Sequence, residues 1–285
     1  MPRTPTVEAK DGQTVLLRLD QVTITNTMTA TDVVRGVSFT LPAGGVVGIV
    51  GESGSGKTLS CRAILGILPE RFTVSAGSVE LFGTDTADFD ARAWTRLRGS
   101  DISAVFQDPG SYLNPSIRVG KQVEEVIRVK AGLPRAAARR RVLELFDSVR
   151  LHEPAYVFQQ YPHELSGGML QRVAIAAAIA LEPRVLIADE ATTALDVTVQ
   201  AEILDLLVEL RERIGLALLV VSHDLAVVAR LCDQVLVMKS GEVVEQGRTA
   251  DILFDPQHPY TQLLIDEHHQ FGLERFLDQG VHDHV

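Results

Sequence analysis

Gly51-Glu52-Ser53-Gly54-Ser55-Gly56-Lys57-Thr58 follows the apolar run 46–50 and opens a helical pattern over 59–68. It fills every fixed position of the phosphate-cradling loop G-x-x-x-x-G-K-[ST]. Gly51, Gly54 and Gly56 let the backbone curve tightly enough to aim several N–H groups at phosphate oxygens, those of Ser53 and Ser55 among them. The helix that follows adds the positive end of its dipole. Lys57 then neutralises the terminal phosphates, and the Thr58 hydroxyl is placed to ligate Mg²⁺, a hard cation that prefers oxygen ligands and nucleotide phosphates. A strand before the loop and a helix after it are the context that separates such a site from a chance Gly-rich turn. The stretch is read as a site for a nucleoside triphosphate.

At 285 residues the chain is one large or two ordinary domains, long enough to bury a substantial core. The net charge of −10 argues against nucleic acid as a partner, because neutralising a phosphate backbone needs a basic face. The arginine-rich run 135–141 shares an amphipathic pattern with Val142, Leu145 and Phe146 and reads as a solvated helix face. The longest apolar run, 173–181, is Ala-rich and about half a membrane span, and residues 1–10 lack an apolar signal segment. The expectation is a soluble, cytosolic chain. Cys61 and Cys232 have no C-x-x-C spacing and read as reduced, small core residues.

Residues 1–14 are polar with prolines and read as a loose lead-in. Over 15–24, Leu17, Leu19, Val22 and Ile24 alternate with polar residues, and 33–41 is a second β-rich run, so an antiparallel flap is expected. Short strands follow at 77–83 and at 102–106, the latter running into Gln107-Asp108-Pro109. The period is helical over 119–150, broken at Gly132-Leu133-Pro134, and over 155–161, which predicts an all-helical insertion. Helices at 168–181, 199–214 and 225–231 then alternate with strands at 185–188, 216–221 and 235–238, the pattern of an α/β fold with a mostly parallel, doubly covered sheet. Residues 255–285 are polar and carry His268, His269, His282 and His284. They read as a solvated tail rather than a metal site, since no second ligand set has the spacing of a closed one.

Val185-Leu186-Ile187-Ala188-Asp189-Glu190 is an apolar strand ending in two acids, which repel each other unless a cation sits beside them. Mg²⁺ with its nucleotide supplies that cation: Asp189 would hold the metal and Glu190 would polarise an attacking water as general base. Leu165-Ser166-Gly167-Gly168-Met169-Leu170-Gln171-Arg172 is a second Gly-rich element opening a helix, with Ser166 as its N-cap.

That last stretch resembles the LSGGQ-type signature of ABC-transporter ATPases. The family's other hallmarks appear in order: the phosphate loop, Gln107, the signature, Asp189-Glu190, Ala194-Leu195-Asp196 and His223. The resemblance covers residues 15–254 and implies a P-loop NTPase fold, with a RecA-like mostly parallel core, an antiparallel β subdomain and an α-helical subdomain over about 110–165. It leaves 1–14 as the lead-in and 255–285 as a C-terminal tail. It also implies a head-to-tail dimer that sandwiches ATP and Mg²⁺. There the amides of Ser166, Gly167 and Gly168 would face the γ-phosphate on the partner's loop, Gln107 would touch Mg²⁺ and sense a membrane subunit, and His223 would contact the γ-phosphate and orient the attacking water. Asp196 would lie at the dimer seam.

Phe106-Gln107-Asp108-Pro109, Leu113-Asn114-Pro115, His163-Glu164 and His258-Pro259-Tyr260-Thr261 are similar to segments of the dipeptide, oligopeptide and nickel importers. Leu65-Gly66-Ile67-Leu68-Pro69 and Gly168-Met169-Leu170-Gln171-Arg172 resemble the nickel-type ATPases in particular. Many of the peptide-importer ATPases hold an iron–sulfur cluster on C-terminal cysteines, and no cysteine lies beyond Cys232, so no cluster is expected. Ala191 stands where the family usually has proline. No aromatic precedes Phe39, so the ring that usually stacks on adenine is absent, and Asn26 stands in its place.

The resemblance thus implies the ATP-hydrolysing subunit of a binding-protein-dependent importer for peptides or a nickel-like metal, peripheral on the cytoplasmic face of the cell membrane. Its expected partners are a second ATPase subunit, two membrane-spanning permease subunits and an extracytoplasmic solute-binding protein. ABC-type ATPases of DNA repair and of translation are the alternatives. The former insert long coiled-coil arms between loop and signature, and the latter pair two such domains through a basic linker. The missing ring leads to a first prediction. Stacking of a base on an aromatic is worth about 1–3 kcal/mol, so affinity here should rest on phosphate contacts, and a competition titration should find ATP and GTP within about tenfold of each other.

Overall fold

Val46–Val50 is buried at all its residues, as befits an apolar strand covered on both faces. The computed structural model that shows this describes residues 7–8, 14–193 and 195–269, with side chains for 14–193 and 195–267. Two compact units divide the chain, one of residues up to Trp94 together with those from Gly215 onward, the other of Thr95–Ile214.

In the first unit Val46–Val50 runs parallel between Ala217–Ser222 and Gln234–Lys239. Glu242–Arg248 lies antiparallel along Gln234–Lys239. A separate antiparallel sheet is centred on Thr14–Asn26, flanked by Thr31–Pro42 and Phe72–Leu81. Leu17, Leu19, Val22 and Ile24 are all buried although the step from Leu19 to Val22 breaks the period of two. A β-bulge makes this possible: the register shifts between Leu19 and Val22, and Gln21 takes a φ of 49°. The Gln21 backbone N–H donates to the Ser38 hydroxyl at 2.8 Å, which pins the extra residue.

In the second unit Ile102–Phe106 pairs in parallel with Val185–Asp189. The helical block is built on Val119–Ala131 and Arg135–Ser148. The break falls at Gly132-Leu133-Pro134, where Gly132 closes the first helix with a φ of 67°. Val119, Val123 and Ile127 on one helix and Ala138, Val142, Leu145 and Phe146 on the other are buried, as the amphipathic spacing requires. The basic run is solvated: the Arg135 side chain is 72% exposed, and Arg141 pairs with Glu182 at 2.8 Å. Among the described residues no helix is long and apolar enough to cross a membrane.

Several elements differ from expectation, each for a physical reason. The expected strand 77–83 is Phe72–Leu81, because its first half is exposed and held by ladder hydrogen bonds rather than by burial. The helical mode expected over 155–161 is confined to Pro154–Val157, followed by a 3-10 turn at Pro162–Glu164. The polar edge strand Glu242–Arg248 carries no apolar alternation to announce it. Where a solvated tail was expected from 255, Pro259–His269 is a helix. Tyr260, Thr261, Leu264 and Ile265 form its buried stripe, spaced by a turn and therefore hidden in a polar average. His282, His284 and the side chains of His268 and His269 lie outside the described residues.

Gly120 begins the packing of the helical block, since a Cβ there would collide with the Phe158 ring and lie 2.7 Å from its carbonyl oxygen. Gly120→Ala should therefore destabilise the chain by about 1–3 kcal/mol in chemical denaturation, the cost of overpacking, despite the better helix propensity of alanine.

Candidate functional site

The strand Val46–Val50 delivers the chain to Gly51, whose φ is 148°. A Cβ at Gly51 would penetrate the Met238 carbonyl oxygen of the neighbouring strand, so only glycine lets the loop leave the sheet here. Gly56, at a φ of 104°, is the N-cap of the helix Lys57–Ile64, and a Cβ there would sit 2.8 Å from the Val34 Cγ2. Between them the Ser55 N–H donates to the Glu52 carbonyl at 3.2 Å, and the Gly241 N–H donates to the Ser55 carbonyl at 3.1 Å. Ser53 and Gly54 are exposed, Ser55 is buried and Thr58 is half-buried. Lys57 is 4% exposed, and its ammonium donates to the carbonyls of Gly51 at 2.6 Å and Glu52 at 2.8 Å. Amides at a helix start beside a buried ammonium are the donor set of a phosphate site, and the Thr58 hydroxyl adds an oxygen of the kind Mg²⁺ prefers.

His223 belongs to the same unit and the same edge of the sheet. The register pairs Val50 with Ser222, so Gly51 and His223 are the next residues along adjacent parallel strands, where open α/β sheets place their ligands. The turn is fixed from below: the Asp224 N–H donates to the Ser222 hydroxyl at 2.9 Å, and the Asp224 carboxylate caps Leu225–Leu231 by accepting the Ala226 N–H at 2.8 Å. His223 itself is exposed.

The second unit carries the acids and the signature. Asp189, 4% exposed, ends Val185–Asp189, and Glu190 follows at a φ of 50°. A left-handed residue other than glycine or asparagine stores about 1–3 kcal/mol of strain, and such residues cluster at working sites. Ala191 is buried behind it. Phe106 pairs with Asp189, which places Gln107 and Glu190 as the next residues on neighbouring strands. Gln107 is exposed, ahead of the short helix Pro109–Tyr112, whose Tyr112 stacks on Phe106 at 5.2 Å. In the signature the Ser166 hydroxyl accepts the Met169 N–H at 3.3 Å and caps the helix Gly167–Ala178. Gly168 is required for packing as well, because a Cβ would lie 2.7 Å from the Val199 Cγ1. Asp196 is exposed and starts the helix Val197–Ile214 by accepting the Val199 N–H at 2.9 Å.

Two contacts of residues already singled out in the sequence emerge only in the structure. The Tyr260 hydroxyl accepts the Glu52 N–H at 3.1 Å, so a residue near the carboxyl end of the chain touches the phosphate loop. The motif around Tyr260 was its one signal. Asn26, in the place of the missing ring, accepts the Met28 N–H at 3.0 Å and closes the turn after its strand.

A family model described as ABC transporter matches residues 34–193. The dipeptide transport ATP-binding protein DppD of Haemophilus influenzae is 45% identical over 229 residues, 80% of this chain and 69% of that protein. The oligopeptide transport ATP-binding protein OppD of Salmonella typhimurium is 43% identical over 91% of this chain and 78% of its own length. The metal-staphylopine import system ATP-binding protein CntD of Staphylococcus aureus is 39% identical over 88% of this chain and 92% of its own length. Among solved structures, cbiO1 of Clostridium perfringens, part of the ABC transporter complex cbiONQ, superposes with a TM-score of 0.74 at 30% identity, covering 92% of this chain and 96% of that one. The ATP-binding cassette MJ0796, in a dimer bound to ADP and Pi, has a TM-score of 0.73 at 32% identity, covering 82% of this chain and 99% of that one.

The steric argument at Gly51 can be checked directly. Gly51→Ala should weaken binding of a fluorescent ATP analogue by tenfold or more, about 1.4 kcal/mol, while Gly54→Ala, whose Cβ would meet nothing within 4 Å, should weaken it less.

Proposed function

The chain belongs to the ABC transporter family, and from that membership we propose that it is the ATP-hydrolysing subunit of a binding-protein-dependent importer, driving uptake of peptides or of a nickel-like metal or metal chelate. The observation that carries this reading is the strand–loop–helix phosphate site with Lys57 buried against its own loop. The cargo range follows the relatives, whose names specify dipeptides, oligopeptides and metal-staphylopine.

The loop amides from Gly51 to Gly56 and the Lys57 ammonium hold the phosphates of ATP. Thr58, Gln107 and Asp189 each carry an oxygen of the kind Mg²⁺ prefers and would hold the ion, which would supply positive charge to offset that of the phosphates. Glu190 takes the proton of the attacking water, so that a new P–O bond forms at the γ-phosphorus as the bond to the leaving oxygen of ADP breaks. His223 orients that water. Ser166, Gly167 and Gly168 serve the nucleotide of a facing subunit, with Asp196 at the seam, a reading supported by the dimeric state of MJ0796. An isolated monomer therefore lacks donors that stabilise the transferring phosphoryl group.

The membrane partners dock on the helical block. A groove of 710 Å³ there is lined by Ile117, Val126 and Val129 together with charges of both signs, Glu124, Glu125, Arg128 and Arg135 among them, which suits a short amphipathic segment of a permease on the cytoplasmic side. The full assembly holds two ATPase subunits, two permease subunits and a solute-binding protein, and docking biases the open and closed dimer.

In the complex reconstituted in lipid, Glu190→Gln should lower ATP turnover by on the order of 10² while ATP binding persists. Cargo-loaded binding protein should raise the turnover of the parent complex several-fold, and Gln107→Ala should reduce that stimulation more than ATP affinity. Full activity from the purified chain alone would return it to the soluble ATPases.

A further inference from the structure

The motif His258-Pro259-Tyr260-Thr261 takes no part in the hydrolysis described above, yet its tyrosine reaches the phosphate loop. The Glu52 N–H donates to the Tyr260 hydroxyl at 3.1 Å, across 208 residues of sequence. Glu52 is the second residue of the loop, so this bond fixes the backbone just after it leaves the buried strand Val46–Val50. A neutral oxygen suits the place, because a carboxylate would accept the same N–H but repel incoming phosphates. The phenol does stay neutral: burial raises it above its ordinary value, with the Glu52 amide acting against that rise and the Glu52 carboxylate adding to it.

The ring is aimed by its surroundings. Tyr260 is 4% exposed, and the Lys239 ammonium lies 4.4 Å from its centroid. Lys239 directly follows Met238, whose carbonyl backs Gly51. The Tyr260 N–H donates to the His258 Nδ1 at 3.1 Å, and the amides of Gln257 and His258 donate to the Glu245 carboxylate at 2.7 and 3.1 Å. Pro259 opens the helix Pro259–His269, where a missing N–H costs nothing, and Leu264 and Ile265 bury its far end. Histidine, proline and the carboxylate behind them thus serve to orient one hydroxyl.

We propose that His258-Pro259-Tyr260-Thr261 is a buttress of the phosphate loop, in which Tyr260 is a positioning residue that holds the Glu52 end in the curvature nucleotide phosphates need. The proposal rests on the nucleotide reading of that loop. Because such coupling is reciprocal, bound ATP must in turn steady the helix Pro259–His269.

Titration of the purified chain with a fluorescent ATP analogue tests it. Tyr260→Phe keeps the ring and removes the hydroxyl; it should weaken binding about three- to tenfold, the range of one net hydrogen bond, with its thermal midpoint near the parent's. Leu264→Ala loosens the same helix with the hydroxyl in place, and should lower the midpoint more than it weakens binding. In the parent, saturating ATP should slow amide hydrogen exchange over residues 260–266. Parent-like binding by Tyr260→Phe overturns the proposal, and so does exchange that ATP leaves unchanged, which decides the matter if the variant does not fold. A parent that fails to bind the analogue overturns instead the nucleotide reading beneath it.

Discussion

Backbone amides that must face a phosphate cannot also be satisfied by secondary structure, so something else has to hold them in place. In this chain the holding is done from behind. A five-residue strand buried along its whole length sets the direction of the chain into the loop, and Gly51 passes so close to the Met238 carbonyl that no side chain fits. The hairpin residue Gly241 ties down Ser55, and Tyr260 ties down Glu52. Lys57, at 4% exposure, is not an unpaired buried charge, because the carbonyls of Gly51 and Glu52 accept its protons. Any phosphate that reaches it competes with neutral carbonyls and brings a full negative charge, which is why the same geometry that is stable alone also favours an anion.

The second unit solves a different problem, that of keeping acids and donors at the ends of buried elements. Asp189 closes an apolar strand, and the left-handed turn at Glu190 carries the second carboxylate out of that strand's alternation. With Ala191 in place of a proline, the backbone after Glu190 keeps an N–H and a free φ. In the helical block a buried carboxylate does structural work. The Glu124 side chain, 3% exposed, accepts a hydrogen bond from Lys121 at 2.7 Å within its helix and forms an ion pair with Arg135 at 3.4 Å at the start of the next. Removing one cation would leave a buried charge short of a partner, so the two helices are tied by a contact more costly to break than to omit. That contact sits on the wall of the groove in the helical block.

The features legible in the sequence are those that depend on near neighbours in the chain. The phosphate loop, the strand that precedes it, the acids after Ala188, the Ser166 cap and the break at Gly132-Leu133-Pro134 all announce themselves within a few residues, because turn geometry, capping and periodicity are short-range constraints. The family resemblance rests on those same segments. Tertiary structure alone decided which amide Tyr260 would hold, that Gly120 makes room for Phe158, that Gly168 makes room for Val199, and that a bulge at Gln21 keeps Val22 and Ile24 on the face of Leu17 and Leu19. It also turned the expected tail into a helix, since four buried side chains on one face weigh little in a polar average. A hydrogen bond from a side chain to an amide 208 residues away has no period and no spacing to read. Its existence is set by where packing brings the two groups, and packing is decided by the whole fold at once.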